Sequence, residues 1–391
     1  VVGRASSTTF WRSSPEPPHD QSKHPHRQKD PHESQPVDPT SAGREMTSAR
    51  DPLVGYLGWH GRHNLGDDAI YDAVRSQLPG ATFLDVPWSP LDTIRSVATG
   101  LHRRLRRSTQ VVGGGTLVGR LHTRLVIGRG MALTRKNGSY AIGIGVHDPV
   151  FAGRRSGSDK DELKRWLPML SEFHIVSARG PRSAELLSDI GLDVQVSGDP
   201  ALVLPRPDVV PEDGLIGLNL GFGDDLWGHD PAALCHEMSV AVKQLSAEGH
   251  RFVGILMNHD DRRWTEPALS GIGAQIVRPP NASAAARELA RCSVAIVTRL
   301  HAGILASLSE TPVVSLEYQP KCRDFALSID DERSLIRTDQ LSSAAVVDRV
   351  TAALADSAAI RTKTRTAVAT LRQRLEAEYS SLASHLGLDR P

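Results

Sequence analysis

Cysteine is scarce in this 391-residue chain: Cys235, Cys292 and Cys322 lie far apart, are odd in number and lack the spacing of a zinc site. That usage excludes a disulfide-stapled framework and fits a reducing cytoplasm. Net charge is nearly absent as well, 46 Lys+Arg standing against 45 Asp+Glu, which argues against a general nucleic-acid coat. No stretch approaches the ~18 unbroken apolar residues of a membrane span, and no apolar segment of the secretory type follows the first residues. The length exceeds what one hydrophobic core usually serves, so two or three domains are expected.

Residues 1–50 hold 7 of the 25 prolines and 4 of the 16 histidines but almost no aliphatic side chains. Such a segment buries too little apolar surface to offset its ordering entropy and reads as a disordered tail. His24-Pro25-His26 fits a solvated low-complexity tract better than a metal site. With Val1 at the start and Met46 just ahead of the first β-rich run, Met46 is the expected biological start.

From Leu53 onward short β-rich runs alternate with amphipathic helical stretches. Strands are expected over 53–58, 81–86, 110–113, 140–143 and 173–177, and Ile70, Val74 and Leu78 recur at helical spacing. Three prolines over 205–214 read as a linker. A second set of strands follows over 215–220, 252–257, 275–277, 294–297 and 313–316. The pattern implies βαβ units with parallel sheets, an α/β chain with two Rossmann-like doubly wound domains facing across a cleft. The expected division is an N-terminal domain over 51–205, a linker over 206–214, a C-terminal domain over 215–340 and helices over 341–391 packing on the body. Leu371, Leu375, Tyr379, Leu382 and Leu386 form one apolar helical stripe in that last segment.

Several strand ends carry chemistry. After the first strand comes Asn64-Leu65-Gly66-Asp67-Asp68-Ala69-Ile70, a βα turn in which Asp67 is a candidate helix N-cap. Its glycines do not follow G-x-G-x-x-G, and adjacent aspartates opening a helix face different ways, so a metal pair is disfavoured. Gly113-Gly114-Gly115 follows another strand, and Gly143-Ile144-Gly145-Val146-His147 ends the next. Arg179 precedes Gly180-Pro181, and Arg299-Leu300-His301 occupies the equivalent place in the second half. An arginine at a strand end beside a helix N-terminus combines a guanidinium fork, backbone N–H groups and the helix dipole, which suits phosphate or carboxylate. Two residues on, His301 is suited to general acid/base work. The block His102-Arg103-Arg104-Leu105-Arg106-Arg107 is the strongest local charge run. A solvated helix face is its ordinary meaning, and a phosphorylated or lipid-linked acceptor or anionic headgroups its functional one.

Taken in order, these segments resemble the polysaccharide pyruvyl transferase family. The resemblance runs from Asn64 to Ile70, through Gly113-Gly114-Gly115, Gly143-Ile144-Gly145, Arg179 with Ser183, and Asp199-Pro200-Ala201, to Arg299-Leu300-His301-Ala302 and Tyr318-Gln319-Pro320-Lys321. It spans about residues 53–326. Gly180 stands where the family often has an acidic residue, and Asp68 where Glu is common. The resemblance implies a GT-B-like fold and transfer of the pyruvyl group of phosphoenolpyruvate to a sugar of a cell-surface glycan or glycolipid, forming a ketal and releasing phosphate. It implies Arg179 and Arg299 as anion clamps, His301 as general acid/base or phosphate ligand, and Lys321 as a further phosphate contact. Asn64, Asp67 and His147 then face the acceptor, while Gly114 and Gly115 let a ligand approach the backbone. No cofactor or metal is called for; the partners are phosphoenolpyruvate and a free or lipid-linked saccharide, in the cytoplasm or at the inner face of the membrane. The rival is a GT-B nucleotide-sugar glycosyltransferase or sugar-nucleotide epimerase, for which Glu317 would offer a ribose-binding carboxylate.

Overall fold

The computed structural model describes residues 51–151, 160–222 and 225–388. The disordered tail and the start at Met46 concern residues outside that set. In the first sheet, β1 (Leu53–Leu57), β2 (Thr82–Asp85), β3 (Thr109–Val112), β4 (Gly115–Val118), β5 (Ser139–Val146) and β6 (Ile175–Ala178) all pair in parallel. The order is β2-β1-β3-β5-β4, with β6 also on β5. Because β4 and β6 both pair with Ile144 while β3 and β6 both pair with Tyr140, β3 and β4 follow one another along the same edge of β5. Gly113-Gly114 therefore interrupts one strand path that resumes in β4, where the sequence pattern has the strand end at the glycine run.

The second sheet holds β7 (Glu212–Asn219), β8 (Arg251–Ile255), β9 (Gln275–Val277), β10 (Cys292–Val297), β11 (Val313–Glu317) and β12 (Leu335–Arg337) in the order β12-β11-β10-β7-β8-β9, again all parallel. β7 starts at Glu212, so the last residues of the expected linker are strand. β12 was not expected; three residues give too short a pattern to read.

Period-two alternation explains how each sheet is covered. On β10, Val294 and Ile296 join one core, while Ala295 and Val297 turn to the other face. That other face shares a continuous core with Val54, Tyr56 and Val111 of the first sheet. The helix Ser357–His385 seals it with Val368, Leu371, Leu375, Tyr379 and Leu382. The two sheets thus rest on common packing, and the carboxyl ends of their strands are held against each other. A backbone bridge fixes the junction: Asn64 pairs with Asn258, and the Leu65 N–H donates to the Met257 carbonyl at 3.0 Å.

Candidate functional site

Four helices begin at the junction: Leu65–Gln77, Pro181–Ser188, Leu300–Leu308 and Pro320–Ser328. Each follows a strand of one of the two sheets, so unpaired first-turn N–H groups and positive dipole ends gather at one place. The N-cap of the first is Asn64, whose side chain accepts from the Gly66 N–H at 3.3 Å, and not Asp67 as the sequence suggested. Asp67 instead accepts from the Asn64 side-chain amide. Burial raises the Asp67 carboxyl above its ordinary range, against the opposing pull of His301 and Lys321.

At the end of β6, Arg179 is 1 % exposed. Its Nη2 donates to Thr116 Oγ1 at 3.2 Å and lies 3.8 Å from Asp324 Oδ2, but Nε and Nη1 have no partner in the protein. Gly145 makes the berth: a Cβ there would sit 2.5 Å from Nη2. Asp324 also accepts from Ser183 through its backbone N–H (3.1 Å) and its hydroxyl (2.6 Å). The absence of a side chain at Gly180 makes that contact sterically feasible, since a Cβ would lie 2.2 Å from the Asp324 carbonyl oxygen.

In the second half, Arg299 is the N-cap of its helix, and its Nε and Nη2 both donate to Asp261 Oδ1, at 3.0 and 2.7 Å. Burial alone would lower the guanidinium, but Asp261 outweighs it and raises it. Asp261 is itself fully buried and fixed by the Asn219 side chain and the Met257 and Asn258 amides. One edge of Arg299 is therefore committed to the protein and oriented by it. Two residues on, His301 Nε2 lies 3.6 Å from Oδ2 of Asp199, a carboxylate with no solvent exposure. Burial would raise the Asp199 carboxyl, yet His301, Arg179 and the Ala201 amide hold it below the ordinary carboxylate range. A buried carboxylate beside an imidazole is the arrangement that orients a ring.

The residues picked from the sequence come together. Asn64, Asp67, Gly114, Gly115, His147, Arg179, Arg299, His301 and Lys321 all line one cavity of about 230 Å³ at the junction. The structure adds Trp59, Thr116 and Arg120 to its wall, none of them read from sequence. His147 is buried, and burial together with the neighbouring Arg120 lowers it to about 4, so it is neutral at physiological pH. Lys321 Nζ stands 4.8 Å from the ring of Tyr318. Among the described residues, nine buried side-chain polar atoms lack a hydrogen-bond partner, and five of them belong to His147, Arg179, Asp199 and His301. Unsatisfied buried polar groups are costly and are normally paired. Their concentration here sets this junction apart from the other described parts of the molecule. Glu317 is not part of it: it is 2 % exposed and clasped by Arg323, with Nε–Oε1 at 3.2 Å and Nη2–Oε2 at 2.8 Å. It is thus not open to a ribose.

Comparison with known proteins agrees with this architecture. The profile described as polysaccharide pyruvyl transferase matches residues 64–320. No curated protein matches the chain. Among solved structures, a Listeria monocytogenes protein named for UDP-N-acetylglucosamine 2-epimerase activity superposes with a TM-score of 0.57 at 12 % identity, covering 88 % of this chain and 98 % of its own. UDP-GlcNAc 2-epimerase from Neisseria meningitidis, solved with UDP-GlcNAc, gives 0.55 at 10 % identity over 85 % and 99 % of the two chains. At such identities the likeness shows the fold, two Rossmann-like α/β domains in the GT-B manner.

Proposed function

The chain belongs to the polysaccharide pyruvyl transferase family, and we propose that it moves the pyruvyl group of phosphoenolpyruvate onto a saccharide of a cell-surface glycan or glycolipid. The observation that supports this most is Arg179: a guanidinium 1 % exposed, with two N–H-bearing nitrogens unpartnered, on the wall of a cavity that also holds Arg299 and Lys321. Phosphoenolpyruvate carries a phosphate and a carboxylate on adjacent groups, so separated guanidinium forks are its natural clamp. With the ammonium of Lys321 and the helix N-termini they meet its charge, and the reading calls for no resident metal or cofactor.

In the chemistry we assign, His301 as imidazolium gives its proton to the methylene carbon of the donor, and C2 takes on cationic character. An acceptor hydroxyl adds to C2, its proton returning to His301, and the phosphate stays attached to the new tetrahedral centre. A second hydroxyl of the same sugar then displaces phosphate, its oxygen bonding to C2 as the C2–O–P bond breaks and its proton passing to the departing phosphate, which closes a cyclic ketal. Asp199 acts through His301, stabilising the charged ring. Asn64, Asp67 and His147 line the side left for the sugar, Asp67 and neutral His147 as hydrogen-bond partners of hydroxyls. Phosphoenolpyruvate is a cytoplasmic metabolite and the three cysteines are free, so the reading carries a cytoplasmic location with it.

The test is incubation with phosphoenolpyruvate and a panel of glycosides, followed by phosphate release and product mass. Phosphate release that needs both substrates, with a product heavier than the glycoside by pyruvate less water, is expected, and His301→Ala should abolish it while leaving the fold intact. Thermal stabilisation by nucleotide sugars and none by phosphoenolpyruvate would overturn the reading in favour of a nucleotide-sugar enzyme.

A further inference from the structure

Nine large apolar side chains are prominently exposed among the described residues, and six of them lie in one region of the first half: Trp59, Leu91, Ile94, Val97, Leu121 and Leu125. Leu91, Ile94 and Val97 are 56, 66 and 56 % exposed and sit on the short helix Pro90–Ala98, whose sole buried residue is Ser96. A helix that turns its larger apolar side chains outward gains nothing from the core on that face. It is well formed nonetheless: Ser89 caps it, accepting from the Asp92 N–H at 3.0 Å. Packed against it is the helix Leu101–Leu105, carrying the basic run. Arg103, Arg104, Arg106 and Arg107 are all exposed, and over residues 90–107 five arginines face a single acidic residue, Asp92.

The patch adjoins the cavity mouth. Trp88, one residue before the capping Ser89, packs edge-on to Trp59 with ring centroids 5.1 Å apart, and Trp59 lines the cavity. On its other side Trp88 stacks at 6.5 Å with His122, which opens the helix Leu121–Leu133 bearing Leu121 and Leu125. Arg120, the N-cap of that helix, is again a cavity residue.

We propose that this face docks on an anionic lipid bilayer, with Leu91, Ile94 and Val97 entering the headgroup boundary and the arginines of 103–107 binding lipid phosphates. Charge complementarity selects this occupant: an apolar strip flanked by unpaired arginines matches an anionic interface, where surface attraction and apolar burial reinforce each other. No described helix is long and apolar enough to cross a membrane, so the contact is peripheral. Combined with the function proposed above, on which this part rests, docking turns the cavity mouth toward the bilayer and favours a lipid-linked saccharide as acceptor.

Flotation of the full-length protein with phosphatidylcholine vesicles, with and without phosphatidylglycerol, tests the docking without any substrate, so its failure is distinct from failure of the proposed activity. Flotation with the anionic vesicles only, weakened by salt, is expected. Arg103→Glu with Arg104→Glu should weaken it about tenfold or more, and Ile94→Asp should abolish it, both with the wild-type melting curve and wild-type turnover on a soluble glycoside. Equal binding to both vesicle types, binding to neither, or unaltered binding by the variants would overturn the proposal. A dimer in sedimentation that Ile94→Asp dissolves, with no flotation, would instead assign the face to a second copy of the chain.

Discussion

Replacing Asp199 by Asn tests the centre of the site most sharply, because it removes a charge and little else. The Asn carbonyl oxygen still accepts from the Ala201 N–H, as Asp199 Oδ1 does at 3.0 Å, so the short helical turn that begins at Pro200 keeps its cap. What is lost is the attraction between a fully buried carboxylate and a protonated His301 with 3.6 Å between Oδ2 and Nε2. At an effective dielectric near 20, unit charges at that separation attract by about 4 to 5 kcal/mol, an upper bound. If most of that is felt when His301 carries its proton, kcat falls by about 10²- to 10³-fold. The proposed donor clamp should respond differently, since Arg179 loses a neighbour that partly offsets its charge; the KM for phosphoenolpyruvate should hold or decrease. Steady-state phosphate release on purified Asp199→Asn, with a melting curve as control, measures both. A folded variant within tenfold of wild-type kcat, or one whose loss lies wholly in KM, would refute the pairing of Asp199 with His301 in the reaction.

Other substitutions probe the surroundings. Arg299→Lys cannot place two donors on Asp261 and still present a fork, so donor affinity by calorimetry should weaken about tenfold; unchanged affinity would count against the clamp. Buried His147 lies near 4 in the folded protein and close to 6.5 when unfolded. The unfolded chain therefore binds more protons in between: the stability is intact above about pH 6.5 and drains away as pH falls toward 4, by about 3 kcal/mol. Urea midpoints over that window should fall in the wild type and flatten in His147→Gln. Gly180→Ala puts a Cβ 2.2 Å from the Asp324 carbonyl oxygen and should cost about 1 to 3 kcal/mol of stability, read as a lower urea midpoint at unchanged slope.

The sequence carried the alternation of strands and helices and, through glycine and arginine at strand ends, the wall of the cavity. Those signals are local: Arg179 stands one residue past a strand and Arg299 two, each at the head of a helix. Their partners are not local. Asp261 reaches Arg299 across 38 positions, and Asp324 reaches Ser183 across 141, so only topology brings them together. Asp199 stood inside a motif, but nothing in its neighbours pointed to a histidine a hundred residues away. The cap at Asn64 was missed because Asn64 and Asp67 are both short polar side chains able to close the first turn, and spacing alone does not rank them. β4 escaped because Gly113-Gly114 reads as punctuation, although β5 is long enough to take a second partner on the same edge.

The helix Ser357–His385 also has consequences for the order in which the protein can be made. Its Glu378 accepts hydrogen bonds from Ser177 at 2.6 Å and Ser197 at 2.7 Å, each two residues before a key side chain, Arg179 and Asp199. Its apolar stripe covers the same half of the molecule. Synthesis runs from the N-terminus, so the first sheet emerges nearly two hundred residues ahead of the helix that finishes it. Throughout that interval it holds an uncovered apolar face and an unset arginine and carboxylate. The first half therefore cannot complete its packing until residues 368–382 have been added, when the chain is almost finished.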